Sequence, residues 1–411
     1  MPDHQPVYLI DGSRTPFSCK LRRDSHGETV FTAQDLVHIT ARAVLSRQPI
    51  TAHDIDDVIM ASSNEIDCTQ LAECAAQRLQ CKPESDTHTF IGSEKVGIQA
   101  LSCAYQAIAT QDKSLVLLGA VESVNAPIIS MSDELSEWLQ AWKGAAGATE
   151  KTKVFNTLHT RYFRQRAQAI NEPEQLFTRH LKLAESVASQ HSISLEAQAE
   201  YVNLSQRRLK YAQRNKTLCS IAPVYYPDGT SRSSDENLIT LDPETLKHAF
   251  QTSPAAIGLI TLSSVAQATE GACCLLLASK DFVEQHKLVP LAELSAPMSS
   301  AKKQSVETLL ESYELTSEDV DYWEWDETSA AEVLALKQKL IYQVLNSFDC
   351  VNLDGGALAL GSPSAASNLR NILQLSHRLK QNSGHYGICH FDFFEAKDSA
   401  ILVKRAHGFS A

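Results

Sequence analysis

Short apolar segments alternate with helical patterns at both ends of this chain, and this alternation restricts the fold more than any other feature. Within the first 120 residues, Val7–Asp11, Val58–Ala61 and Leu115–Gly119 are short and apolar, which is typical of buried parallel strands. Between them, Thr32–Leu45 and Val96–Ala109 carry apolar residues at three- and four-residue spacing. Residues from about 286 onward repeat the alternation. The pattern predicts an α/β fold with right-handed crossovers.

Composition excludes several classes of protein. A chain of 411 residues can bury a large core and should hold more than one domain. The net charge of -12 argues against a nucleic-acid partner, which would favour clustered Lys and Arg. The ten cysteines lack C-x-x-C pairs, so we predict no metal site. Cys103, Cys273 and Cys274 lie in apolar context and are expected to be reduced core residues. With no signal peptide or membrane-spanning run, we expect a cytoplasmic protein.

The middle of the chain, from about 125 to 245, has a different character, because it is helical, polar and rich in Arg, Lys and Gln. Within it, Ile129–Ala169 places Trp138 and Trp142 among basic residues such as Lys151 and Lys153. One interpretation is an amphipathic helix pair suited to an acidic surface. The other is a helix pair that packs on its own domain and exposes a solvated basic face. Both interpretations stay open at this point.

Seven segments, in matching order, resemble those of thiolases. Among them, Val7–Phe17 reads VYLIDGSRTPF, Leu115–Val124 reads LVLLGAVESV and Asn352–Pro363 reads NLDGGALALGSP. The resemblance implies an α/β fold of five αβαβα layers, built from two similar halves with an inserted helical loop domain. It places an N-terminal half at 1–285, with the loop domain at about 125–245, and a C-terminal half at 286–411.

The Ile129–Ala169 insertion resembles the one in the thiolase β-subunit of the fatty-acid β-oxidation multienzyme complex. That resemblance implies possible contacts with a β-oxidation α-subunit and with a membrane surface. Thiolases also pair through an edge strand, giving a continuous sheet across a two-fold axis. We expect Leu115–Gly119, which follows the helix Val96–Ala109, to supply that edge, and we therefore expect a homodimer.

The four positions that match thiolase catalytic residues hold other residues. A thiolase needs a nucleophilic Cys, a His that deprotonates it, a second Cys as acid/base and an oxyanion hole. In Thr87–Ala100 (THTFIGSEKVGIQA), the nucleophile position is Glu94. The His position is Ser362, the second Cys position is Asp392, and the Asn or His of the oxyanion hole is Asp326. None of the fourteen histidines falls at a motif position.

A different register would bring Cys389 to the position of the second Cys. That shift would displace the final strand by three residues and reverse its in–out alternation, so we favour Asp392.

Our first hypothesis is a protein of acyl-CoA or fatty-acid metabolism that keeps the fold and has lost the Cys/His/Cys machinery. It would be a catalytically inactive homologue of acetyl-CoA acyltransferase. Glu94 then has a structural explanation: Ser93 caps the helix, and a carboxylate in its first turn complements the helix dipole.

The second hypothesis is a carboxylate-based acyl-CoA enzyme that performs CoA transfer or thioester hydrolysis. Glu94 would be the nucleophile and Asp392 the acid/base, and Ser362 would supply a hydrogen bond. A third is a residual acyltransferase that uses an unrecognised Cys. A magnesium or manganese site at Glu94, Asp326 and Asp392 is conceivable, but no spacing signature supports it.

The only ligand that the resemblance implies is CoA or acyl-CoA, and no other cofactor is expected. The family holds pantetheine with small loop residues and a Ser, and the matching stretch Thr261–Gly271 reads TLSSVAQATEG. Ser264, Ala266 and Leu181 are the candidate substrate-binding residues. Ala266 falls at the family's Ser. Trp323 and Trp325 alternate along a predicted strand and are expected in the core.

Overall fold

The computed structural model describes residues 5–19, 21, 23–27, 30–63, 70–122, 132–163, 173–236, 259–302, 304–341, 349–392 and 397–409. The chain divides into two compact units, one formed by Met1–Val124 with Phe177–Ala411 and the other by Asn125–Leu176. Among the described helices, none has the length and apolar character needed to cross a bilayer.

The helices follow one another along the chain from the N-terminal to the C-terminal end. They are α1 (Ala33–Leu45), α2 (Leu71–Leu79), α3 (Val96–Ala109), α4 (Asp133–Gly144), α5 (Ala148–Phe155), α6 (Pro173–Gln190), α7 (Leu195–Asn215), α8 (Lys280–Gln285), α9 (Ser305–Ser312), α10 (Ala330–Ile341), α11 (Ala357–Leu360) and α12 (Ser364–Asn382).

The strands lie between these helices along the chain. They are β1 (Val7–Arg14), β2 (Asp57–Ser62), β3 (Asp86–Ile91), β4 (Leu115–Glu122), β5 (Val224–Tyr225), β6 (Ser231–Arg232), β7 (Gly271–Ser279), β8 (Ala292–Leu294), β9 (Met298–Ser300), β10 (Tyr322–Trp325), β11 (Tyr386–Asp392) and β12 (Asp398–Arg405).

One hydrogen-bonded path joins the strands of the two halves in the order β10-β11-β12-β8-β1-β7-β4-β2-β3. The short strand β8 links the halves, because it pairs with both β1 and β12. Strand β4 lies between β7 and β2, so the expectation that Leu115–Gly119 forms a free edge is wrong. Among the described strands, β3 ends the path on that side and pairs only with β2.

Three apolar clusters show how the layers stack. Helices α3 and α12 lie in the central cluster, where Ile108 and Leu373 pack with inward-facing strand residues of both halves. A second cluster joins α1 and α2 to the outer face of the N-terminal strands. A third joins α9 and α10 to the outer face of the C-terminal strands, where Trp323 and Trp325 are 1% exposed. This order of helix, sheet, helix, sheet and helix confirms the expected five-layer fold.

A buried carboxylate fastens the loop after β10 to its neighbours. Glu327 is 1% exposed and accepts four hydrogen bonds, so its burial leaves neither oxygen without a partner. The donors are Tyr201 Oη, Ser205 Oγ, Asn352 Nδ2 and the Leu358 amide, at 2.7, 2.8, 2.8 and 3.2 Å respectively.

Residues of the smaller unit form a helix pair, as the sequence predicts. The rings of Trp138 and Trp142 stack with centroids 5.6 Å apart, and Trp138 Nε1 donates to the carbonyl of Val154 at 2.8 Å. Lys151 Nζ lies 5.8 Å from the centroid of the Trp142 ring, within the range of a cation–π contact. No residue of α4 or α5 is itself buried, and Phe155 is 56% exposed.

Candidate active site at the start of helix α3

Glu94 lies in the turn that leads into α3. The helix begins at Val96 with Lys95 as the N-cap residue, and no side chain caps it. The expectation that Ser93 caps the helix through its hydroxyl is therefore wrong. Ser93 contributes its carbonyl, which accepts a hydrogen bond from the Val96 amide at 2.9 Å. Because Glu94 precedes the helix, its side chain is free to reach another element.

That element is α6, where His180 meets Glu94. His180 Nε2 lies 2.6 Å from Glu94 Oε1, and the two side chains are 17% and 27% exposed. Burial lowers the pKa of His180, but the hydrogen bond and charge of Glu94 outweigh it, helped by Glu332 and Asp326. The pKa of His180 therefore lies above its ordinary value, which favours an imidazolium beside the carboxylate.

Sequence reasoning missed His180. The residue directly precedes Leu181, which was already a candidate for the substrate pocket, so its position carried a signal. However, it lies 86 residues from Glu94 in sequence and belongs to no catalytic motif of the resembled family. Only the folded chain brings the two side chains together.

Asp326 lies close to this pair, in the loop that follows β10. Its amide donates to the carbonyl of His390 at 3.0 Å, which continues the pairing of β10 with β11 for one residue. Burial raises the pKa of the Asp326 carboxyl to about 6, and the charge of Glu94 adds to the shift. Glu327 also raises this pKa, while Arg370 and His180 lower it.

Ser362 lies just before α12 and is tied to the predicted pantetheine stretch. Its amide donates to the carbonyl of Gln267 at 2.8 Å, and its Oγ is 3.4 Å from Ser367 Oγ. The amide of Ala266 donates to the carbonyl of Thr328 at 2.9 Å. Residues 266–268 are thus held between the loop that carries Asp326 and the turn that carries Ser362.

The starts of α3 and α12 also meet. A Cβ added at Gly97 would lie 2.5 Å from the carbonyl oxygen of Ala365, so only a glycine lets the two helices approach this closely. This approach puts the turn of Glu94 and the turn of Ser362 on neighbouring elements. The structure therefore brings Glu94, Asp326 and Ser362 into one region of the fold.

The other candidate substrate-binding residues are buried. Ser264 is 0% exposed, and its hydroxyl donates to the carbonyl of Thr261 at 2.9 Å while accepting from the Thr261 amide at 3.2 Å. Leu181 is 6% exposed and packs in an apolar cluster with Val265 and Ala331.

Asp392 ends β11, and its backbone is opposite Asp398 in the antiparallel pair with β12. Its side chain lies outside the described residues, so the meeting of Asp392 with Glu94 stays a prediction. Cys389, the residue favoured by the shifted register, is fully buried on the same strand.

Four buried cysteines are poor candidates for a nucleophile. Burial raises the pKa of Cys274 to about 12 and holds the pKa of Cys273 and Cys389 well above the ordinary value. Burial also raises the pKa of Cys219, although Arg14 opposes it. A protonated, inaccessible thiol does not attack a thioester. The predicted core roles of Cys273 and Cys274 are confirmed. In the described ranges, no group of three or more His, Cys, Asp or Glu could hold a metal ion.

Comparison with known proteins identifies related families and structures. The family described as thiolase, N-terminal domain, matches residues 7–281, and the family described as thiolase, C-terminal domain, matches residues 285–405.

Individual proteins match along nearly their whole length. A 3-oxoadipyl-CoA/3-oxo-5,6-dehydrosuberyl-CoA thiolase of Escherichia coli K12 is 29% identical, over 97% of this chain and 99% of that protein. The human mitochondrial 3-ketoacyl-CoA thiolase is 26% identical, over 93% and 94%. A crystal structure of the human enzyme in complex with CoA aligns with a TM-score of 0.75 and 23% identity, covering 98% of each chain. An acetyl-CoA acetyltransferase from Syntrophomonas wolfei gives a TM-score of 0.79 at 21% identity, over 98% and 99%.

Proposed function

The chain belongs to the thiolase family, and from that premise we propose that it binds acyl-CoA in fatty-acid or related acyl-CoA metabolism without performing carbon–carbon chemistry. The observation that carries this proposal is the turn before α3, where the side chain that meets His180 is the carboxylate of Glu94 and not a thiol.

The acyl-enzyme intermediate of a thiolase depends on the nucleophile that carries it. A thiolate exchanges readily with a thioester, whereas a carboxylate gives an anhydride that water destroys. Each positioned acid or base contributes about 10²–10⁴ in rate, so the replacements at Glu94, Ser362 and Asp326 together remove most thiolase catalysis. Asp392 would add a further loss at the position of the second Cys.

Binding of acyl-CoA is supported by the segment that carries Ala266. This segment is anchored on both sides, through the Ala266 amide and the Gln267 carbonyl, and it borders the turn of Ser362. A relative that matches 97% of this chain is named for CoA thioesters, and the human mitochondrial relative has been crystallised with CoA.

A titration combined with an activity assay tests the proposal. We expect acetyl-CoA and a long-chain acyl-CoA to bind in isothermal titration calorimetry. We expect no cleavage of 3-ketoacyl-CoA by CoA, and no condensation of two acetyl-CoA, at rates near those of a thiolase. Thiolysis at an ordinary thiolase rate, or failure to bind any acyl-CoA, would contradict the proposal.

The proposal includes a homodimer in the cytoplasm. The described strand β3 offers a free edge whose backbone groups can pair across a two-fold axis. Its residues alternate between exposed and half-buried side chains, except at Phe90, and among the described strands it pairs only with β2.

The helix pair of the smaller unit is the candidate docking site for a β-oxidation α-subunit or a membrane surface. Its exposed Phe155 and the contact between Lys151 and Trp142 combine apolar surface with positive charge. A groove of about 440 Å³ along this pair is lined by residues of α4, of α5 and of the segment that follows α5, namely Glu134, Glu137, Trp138, Ala141, Lys153, Val154, Thr157 and Tyr162.

A further inference from the structure

The contact between Glu94 and His180 is not explained by folding. Glu94 does not cap α3, and within the described part of the chain neither side chain has a second hydrogen-bonded partner. A carboxylate and an imidazole that meet at 2.6 Å while remaining partly exposed are accessible to a water molecule and to a ligand. Partial burial also strengthens the interaction compared with the same pair in bulk water.

The surroundings of this pair favour negative charge that develops during a reaction. Helix α3 has 14 residues and α12 has 19, and their starts meet where Gly97 approaches Ala365. The first amides of each helix lack partners within the helix, and the helix dipole makes this end positive. His180 adds a positive charge from α6, opposite the turn of Glu94.

The carboxyl groups of Asp326 and Glu94 lie in different surroundings. Glu94 lies 2.6 Å from the imidazole of His180, whereas burial and then the charges of Glu94 and Glu327 raise the pKa of the Asp326 carboxyl against the opposing charges of Arg370 and His180. The Asp326 carboxyl therefore holds its proton to a higher pH than an ordinary Asp does.

We propose that Glu94 is the general base of a thioester hydrolase and that His180 positions it. This inference rests on the proposed binding of acyl-CoA in the same region. Water is the acyl acceptor because neither Glu94 nor His180 can hold an acyl group stably against hydrolysis.

Glu94 takes a proton from a water molecule, whose oxygen adds to the carbonyl carbon of the thioester. The C–S bond breaks, and the proton held by Glu94 passes to the leaving thiolate. The products are a free carboxylic acid and CoA with its thiol. His180 donates its Nε2 hydrogen to Glu94 Oε1 throughout, which leaves Oε2 to hold the water.

Hydrolysis and binding are measured separately on the full-length protein. Acetyl-CoA and palmitoyl-CoA are the substrates, with released thiol followed by a colorimetric thiol reagent and the acid by chromatography. S-acetonyl-CoA, a thioether that keeps the carbonyl and cannot be hydrolysed, reports binding by calorimetry. We expect binding of the analogue and turnover of at least one substrate.

Three variants assign the roles. Glu94→Gln should lower kcat by about 10²–10⁴-fold while the analogue still binds. His180→Gln should lower kcat with little change in KM. We expect the activity of the wild type to fall as pH rises through the pKa of His180, and this fall should be absent from the variant. His191→Gln, an exposed histidine at the end of the same helical segment, should behave as wild type. Circular dichroism checks that each variant is folded.

Two results are distinguishable. If the analogue binds and neither thioester is hydrolysed, or if Glu94→Gln keeps the wild-type rate, the hydrolase inference is overturned and the proposed binding function stands. If the analogue and both acyl-CoA molecules fail to bind, the proposed function is overturned and this inference with it.

Discussion

Gly356 lies directly against Glu327: a Cβ at Gly356 would overlap the carboxyl group of Glu327. Glu327 in turn accepts a hydrogen bond from the side chain of Asn352 at 2.8 Å. The N-x-D-G-G-A segment of the sequence and the Glu after Asp326 are therefore parts of one packing arrangement. Its members are needed for the fold whichever reaction the neighbouring region performs.

Replacing Gly356 by Ala should destabilise the protein. The added methyl group must displace a buried carboxyl group that is held by four hydrogen bonds, and overpacking of this kind costs about 1–3 kcal/mol. Urea denaturation followed by circular dichroism measures the change. Gly144→Ala is the control, because a Cβ there meets nothing within 4 Å, and it should be neutral or slightly stabilising. Equal stability of Gly356→Ala and the wild type would contradict the packing described above.

The carboxyl group of Asp326 should make stability depend on pH. Its pKa of about 6 in the folded protein lies above the ordinary value of 3.8, so the folded state binds the proton more tightly. Stability is therefore lost as pH rises from about 4 through 6. Asp326→Asn cannot ionise, and its melting temperature should exceed that of the wild type increasingly over this range. The Asp326 residue is only half-buried, and solvent screening therefore limits the expected gain in stability to the order of 1 kcal/mol.

Asp319→Asn is the control with the opposite sign. The hydrogen bonds that Thr316 donates lower the pKa of the Asp319 carboxyl, so its stabilising contribution is present at neutral pH and is lost as pH falls. This variant should be less stable than wild type at pH 7 and should approach it in acid. The same pH trend in both variants would count against the environment described for Asp326.

The buried cysteines should resist alkylation in the folded protein. Iodoacetamide reacts with thiolates, and Cys219, Cys273, Cys274 and Cys389 are buried with raised pKa values. Mass spectrometry after brief labelling should find these four unmodified and the partly exposed Cys74 modified. Rapid labelling of any of the four would support the third hypothesis, a residual acyltransferase with an unrecognised thiol.

The free edge at β3 should carry the homodimer. Ile91 ends this strand and is 38% exposed, so a charged residue there would meet the partner strand in a sheet continued across the two-fold axis. Ile91→Lys should shift the protein from dimer to monomer in light scattering. Tyr225→Lys, which changes a residue that is 71% exposed on the hairpin of β5 and β6, should remain dimeric. A wild-type protein that is monomeric at micromolar concentration would contradict this assembly.

The strands and helices with a strong periodic pattern could be predicted from the sequence. Thr32 accepts a hydrogen bond from the Asp35 amide and begins α1 where the pattern placed it, and α3 covers the predicted Val96–Ala109. The prediction that Leu115–Gly119 forms the edge strand was wrong because β4 is apolar on both faces, and such a strand is typical of a sheet interior. The polar β3, which alternates Asp, Thr and His, was the better candidate for an edge.

The candidate site could be predicted only in part. Motif order predicted Glu94, Asp326 and Ser362 as candidate site residues, because each lies at the end of a recognisable element. His180 could not be found this way, since it lies in a region without motif constraints and its role depends on how α6 packs near α3. Pair interactions between distant segments leave no signal in a single sequence.

The packing of Gly356 against Glu327 has a consequence for how such proteins are grouped. The segment of residues 352–357, which resembles a family motif, is held in place by a buried carboxylate and a tightly packed backbone. Natural selection for a folded chain is enough to preserve it, whether or not the ancestral reaction persists. The presence of this segment in a sequence therefore indicates common descent. The residues of the adjacent turn must be considered separately to infer which reaction the protein performs.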